Sequence, residues 1–86
     1  MERTVKLMIY CKIKERYDDH AVYNVGATLA DMTGLLTFFS DERLPVLDKQ
    51  ADEVPVLDAY IARLYWKYAQ QTRTGVFADK MAYEIG

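Results

Sequence analysis

The chain has 86 residues, of which 51% are hydrophobic and 28% charged, which suits one globular domain spanning 1–86 and excludes a disordered chain. Its 11 basic and 13 acidic residues give a formal net charge of −2, so no whole-molecule field attracts nucleic acid or acidic lipid. The single cysteine excludes an internal disulfide. The N-terminal stretch carries neither a signal-peptide nor a membrane-span pattern, so we expect a cytoplasmic protein without membrane contact.

Alternating apolar and polar residues predict a first strand from Thr4 to Lys14. The inward positions of this strand are Val5, Leu7, Ile9, Cys11 and Ile13. A polar turn follows, and a second strand is predicted from about His20 to Val25. Gly26 ends that strand.

The segment 28–39 fits two interpretations. Apolar residues at helical spacing allow a helix that begins at Thr28. The alternative is a strand that begins near Met32, and we favour it because the segment is rich in β-prone residues and Gly34 would weaken a helix interior. A helix here would leave four strands and two helices.

A turn over Ser40 to Arg43 is predicted to lead into a fourth strand, Leu44 to Lys49. Pro45 cannot donate to a strand ladder, so this strand should be short or lie at a sheet edge. With Leu36, Phe38 and Val46 phased inward, the side chains that face away from the core are Leu35 and Leu47.

The segment from Asp52 to Gly75 predicts the only long helix. Apolar residues recur on one stripe, at Leu57, Tyr60, Ile61, Leu64, Tyr65 and Tyr68. Asp52 is the predicted N-cap, Pro55 fits the first turn, and Gly75 fits the left-handed position after the last turn. The helix should therefore run from Pro55 to Gly75, within two residues.

A last strand is predicted from Lys80 to Ile85. The expected fold is α+β, with a mainly antiparallel sheet of about five strands in the sequence β1-β2-β3-β4-α-β5 and one long helix on one face. A meander followed by a right-handed crossover gives the strand order 5-1-2-3-4.

No residue pattern predicts an enzyme, a metal site or a cofactor. Cys11 lies in phase with the inward positions of its strand, and His20 has no spacing that pairs the two as nucleophile and base. The Asp18–His20 stretch is typical of a solvated turn, because adjacent side chains seldom converge on one metal ion. The carboxylates of Asp48, Asp52 and Glu53 belong to an exposed connection that leads into the helix.

The aromatic residues expected at the surface indicate that the protein functions by binding another molecule. Aromatic residues make up 13% of the chain, and some should reach the surface. We therefore expect a small accessory or regulatory protein that acts through protein contact and forms a homodimer through the open sheet face or an edge strand. The interface candidates are Met8, Tyr10, Leu35, Leu47 and Trp66. The alternative is a nucleic-acid-binding module that uses the outer side of the first strand, with candidates Arg3, Lys6, Tyr10, Lys12 and Lys14.

Overall fold

A computed structural model describes residues 7–85 as an antiparallel five-stranded sheet with one helix packed against it. The elements are β1 Leu7–Arg16, β2 His20–Gly26, a 3₁₀ turn Leu29–Asp31, β3 Gly34–Phe39, β4 Val46–Lys49, α1 Asp58–Arg73 and β5 Lys80–Ile85. The strand order β4-β3-β2-β1-β5 confirms the predicted α+β class and order. The predicted start of the first strand at Thr4 lies outside the described residues.

Within the segment 28–39, Leu29–Asp31 form one 3₁₀ turn and Gly34–Phe39 form a strand. The favoured strand interpretation is therefore confirmed, and the helix interpretation is wrong. Gly34 begins β3 at a point where two neighbours approach closely. A Cβ at Gly34 would lie 2.9 Å from both the Lys49 carbonyl oxygen and a methyl carbon of Val25. The absence of a side chain at Gly34 therefore lets the strand pack tightly at this end of the sheet.

β4 is a four-residue strand at the sheet edge, as Pro45 predicted. Its pairing with β3 contains a register shift, because Leu35 pairs with Lys49 whereas Leu36 pairs with Leu47. The extra residue, Asp48, forms a β-bulge after Leu47, whereas the facing of β4 is set by the pairs that place Val46 opposite Thr37 and Leu47 opposite Leu36. Leu47 lies on the side of Leu36 and packs on the core, so its predicted place on the outer face is wrong.

α1 begins later than predicted, at Asp58, and Leu57 rather than Asp52 occupies the N-cap position. The N-cap makes no side-chain hydrogen bond, and the first turn closes when the N–H of Ile61 donates to the Leu57 carbonyl at 3.1 Å. Earlier residues are held in a different conformation, because Gln50 Oε1 accepts the N–H of Val56 at 2.7 Å. The connection is therefore fixed before the helix starts.

The C-terminus of α1 confirms the role predicted for Gly75. This glycine has φ +81°, a left-handed conformation that costs residues with a Cβ about 1 kcal/mol or more. The N–H of Gly75 donates to the Thr72 carbonyl at 3.0 Å and the N–H of Val76 to the Gln71 carbonyl at 2.9 Å. These two bonds form a Schellman motif, which satisfies carbonyls at the helix end.

The core lies between α1 and one face of the sheet. Its largest fully buried side chains come from all three central strands and the helix, and include Ile9, Tyr23, Val25, Leu36, Phe38 and Leu64. Cys11 belongs to the same cluster, as the alternation in β1 predicts. On α1 the buried residues are Ile61, Leu64, Tyr65, Ala69 and Thr72. Leu57 precedes the helix and is half exposed, so its predicted place on the buried stripe is wrong.

Two side chains of α1 cover the outer edge of β5. Lys67 Nζ donates to the carbonyl of Ala82 at 2.9 Å. The N–H of Ala82 donates to the Tyr68 hydroxyl at 3.3 Å. The helix therefore satisfies backbone groups that an edge strand would otherwise leave to solvent or to another chain.

Candidate functional site

The sheet face opposite α1, called the open face here, is rich in apolar side chains. They are Met8, Tyr10, Val22, Leu35, Phe39 and Val46. The first five are half-buried, and Val46 is 47% exposed. A sheet with one covered face usually turns a polar face to water, so this surface is unusually apolar. The structure puts the predicted candidates Met8, Tyr10 and Leu35 on it.

The 3₁₀ turn crosses one end of the open face. Gly26 pairs with Tyr10, and a Cβ at Gly26 would lie 2.2 Å from the Asp31 carbonyl oxygen. The backbone of the turn therefore rests directly on the glycine. The turn carries Leu29, which is 71% exposed, above the surface of the sheet.

A buried carboxylate fixes this turn to the connection before α1. Asp31 is 2% exposed, and its Oδ2 accepts the N–H of Val54 at 2.8 Å and of Glu53 at 2.9 Å. The hydroxyl of Thr33 donates to Oδ1 at 2.9 Å. These bonds, led by the one from Val54, hold the pKa of Asp31 below its usual range. The turn is thus anchored by an ionised carboxylate, both oxygens of which accept hydrogen bonds.

Between the turn and strands β1 and β5 lies a cleft of about 440 Å³, called the β1–β5 cleft here. Its lining residues are Tyr10, Cys11, Lys12, Leu29, Met32, Tyr68, Lys80, Met81 and Ala82. Lys12 and Lys80 are direct cross-strand partners. Neither lysine forms an ion pair with a carboxylate among the described residues. The cleft therefore combines two positive charges with apolar and aromatic walls.

A second concavity, of about 350 Å³, separates β4 from the first half of α1. It is lined by Leu44, Pro45, Leu47, Asp58, Ile61 and Ala62. Trp66 follows Ala62 by one helical turn and is 76% exposed, so it is not a core residue. The structure therefore separates Trp66 and Leu47 from the other interface candidates, which lie on the open face.

Among the nucleic-acid candidates, Tyr10 and Lys12 line the cleft, and Lys14 is exposed at a register shift in β1. Arg3 and Lys6 lie outside the described residues. Lys80 is the lysine that the sequence alone did not single out. Its position follows from the pairing of β5 with β1.

Burial and hydrogen bonds constrain Cys11, His20 and Asp48, three side chains that could in principle serve in catalysis or metal binding. Burial raises the pKa of the Cys11 thiol to about 12, so the thiol stays protonated at neutral pH. At the β1–β2 turn, His20 Nδ1 lies 2.6 Å from Asp19 Oδ1, and this hydrogen bond lowers the pKa of Asp19. Asp48 accepts a hydrogen bond from Thr37. Residues 7–85 contain no group of three or more potential ligands arranged to hold a metal ion.

Comparison with protein-family models, with curated proteins and with solved structures finds no match. Within the part of the chain that the structure describes, no helix is both long enough and apolar enough to cross a bilayer.

Proposed function

We propose that the protein is a small, non-enzymatic accessory or regulatory protein that acts through protein contact, with a second copy of itself bound at the open face. The observation that carries this proposal is the set of six apolar side chains on the sheet face opposite α1, of which, among the described contacts, only Phe39 is overlaid by a cation, the guanidinium of Arg43 at 4.0 Å from the ring centroid. Burying such a surface removes apolar area from water, and a domain of this size gains stability by doing so. Because Cys11 is a free thiol, the cytoplasm is the location we propose.

Solution mass by light scattering over a range of concentrations tests the proposal. We expect the mass of two chains for the unaltered protein and of one chain for Val46→Lys, because the new ammonium group would have to be buried unpaired. Trp66→Lys is the matched control, since it places the same charge on an exposed position of the helix. Circular dichroism checks that both variants are folded.

Three results would contradict self-association through the open face. One is a single-chain mass for the unaltered protein at every concentration. Another is an unchanged two-chain mass for Val46→Lys. The third is dissociation by Trp66→Lys alone, which would move the contact to the groove between β4 and α1.

A second candidate function is binding of nucleic acid at the same face. The observation that favours it is the pairing of Lys80 with Lys12 beside Tyr10, which sets two cations next to an aromatic ring. Such binding should weaken steeply with added salt. Fluorescence anisotropy with a random single-stranded oligonucleotide at low salt measures it, and an unchanged signal would dispose of this candidate.

A further inference from the structure

We propose that the β1–β5 cleft is a binding site for a small carboxylic acid with an apolar body. In this site the carboxylate lies between Lys12 and Lys80, and the apolar part contacts Leu29, Met32 and the ring of Tyr10. The inference goes beyond the proposed self-association, because every residue of the cleft comes from one chain.

The two lysines supply the first argument. Lys12 and Lys80 lie directly opposite each other on antiparallel strands, where Cβ atoms are about 5 Å apart. Like charges at this position repel, and no described carboxylate neutralises either of them by an ion pair. A bound anion between the two ammonium groups would replace this repulsion by two attractions.

The walls of the cleft supply the second argument. Leu29 is 71% exposed although it stands on a turn whose backbone is fixed by the buried Asp31. A large apolar side chain exposed in the wall of a cleft that also holds two cations is poorly placed for water and well placed for an apolar ligand. Met32 adds a flexible, polarisable surface that adapts to the shape of the ligand.

Size and shape favour a small molecule over a polymer. The volume of about 440 Å³ lies within the usual range for ligand pockets, which combine mostly apolar walls with a few polar groups. The 3₁₀ turn, which rests on Gly26, forms one wall of the cleft through Leu29. A nucleic-acid strand would need a continuous track past this point, whereas a short acid fits against the turn.

Titration with decanoate below its micelle concentration tests the site, with calorimetry for affinity and NMR for location. We expect saturable binding that shifts the resonances of Met32 and Ala82, and weaker binding of the uncharged 1-decanol. Lys12→Gln and Lys80→Gln should each weaken decanoate binding about fivefold, as loss of one exposed charge contact implies. Lys14→Gln is the matched control, because this exposed lysine is on β1 but does not line the cleft.

The titration is also made with Val46→Lys, because self-association through the open face would cover the cleft. Binding to either form with the expected pattern of variants supports the site, and the measured mass reports separately on self-association. If decanoate shows saturable binding neither to the unaltered protein nor to Val46→Lys, the proposal is overturned. Equal weakening by Lys14→Gln, or equal affinity for 1-decanol, overturns it as well, since either result means that no fixed site holds the carboxylate.

Discussion

The substitution Tyr23→Phe removes a single hydrogen bond between the centre of the sheet and the segment that follows α1. The side chain of Tyr23 is fully buried, and its hydroxyl donates to the carbonyl of Ala78 at 2.6 Å. Burial raises the pKa of Tyr23, so the hydroxyl remains a donor throughout the usual pH range. The ring, which packs edge-on against Phe38 with 5.4 Å between centroids, stays in place in the variant.

The expected loss of stability follows from the burial of the acceptor. A hydrogen bond of this kind contributes about 1 kcal/mol net, and an acceptor left fully buried without a partner costs up to about 3 kcal/mol. Ala78 is only half-buried, so water can replace part of the lost interaction. We therefore expect Tyr23→Phe to lower the free energy of unfolding by about 1–2 kcal/mol, with a fall in Tm of about 4–8 °C per kcal/mol.

Urea unfolding followed by circular dichroism, at one fixed protein concentration, measures this loss. Tyr60→Phe is the matched control, because Tyr60 is half-buried and its hydroxyl has no hydrogen-bond partner among the described contacts. The control should unfold at the same urea concentration as the unaltered protein. If Tyr23→Phe also leaves the urea midpoint unchanged, the bond to Ala78 contributes nothing and the reasoning is refuted.

Two further predictions concern the dependence of stability on pH. The pKa of Cys11 is raised from 9.0 to about 12 in the folded chain, so the unfolded chain loses this proton first. The contribution of Cys11 to the free energy of unfolding should be fully present below about pH 9 and should be lost above it, by up to about 1.4 kcal/mol per pH unit. Urea midpoints of Cys11→Ala should therefore fall less steeply with rising pH than those of the unaltered protein. At the acid end, the pKa of Asp31 is lower in the folded chain than in the unfolded chain. The stability that Asp31 contributes is therefore present above its unfolded pKa and is lost as the pH falls through its folded pKa. Asp31→Asn should therefore be less stable at neutral pH and lose less on acidification, and parallel acid profiles for the two proteins would contradict this role.

Local patterns were sufficient to predict the topology. The alternation in β1 predicted that Ile9 and Cys11 face the helix, and both are buried. Hairpin connections and one right-handed crossover then leave few strand orders, and the simplest of them is the observed one. Gly75 marked the helix end because few other residues adopt its left-handed conformation.

Features that depend on contacts distant in sequence were not predictable. The register of the β3–β4 hairpin, which places Val46 opposite Thr37 and Leu47 opposite Leu36, decides the facing of β4, and nothing in the alternation of the strand marks it. The connection before α1 is held by Gln50 and also by Asp31, whose carboxylate accepts the N–H groups of Glu53 and Val54 from more than twenty residues earlier. The pairing of Lys12 with Lys80 required the register of β5, and the apolar wall of the cleft required the crossing of the turn over Gly26.

The contacts of Lys67 and Tyr68 with Ala82 affect how a further strand could add to the sheet. A sheet with two open edges can add chains without limit, because each new strand presents a fresh edge to the next. Here α1 occupies both backbone groups of Ala82 on the β5 edge, so a strand added at β5 would lose two ladder bonds that a strand added at β4 would not. Two chains that joined through β4 would present only β5 edges, at which the bonds to Ala82 disfavour further strand addition. Local unfolding of α1 would remove this protection and convert a self-limiting contact into one that can polymerise.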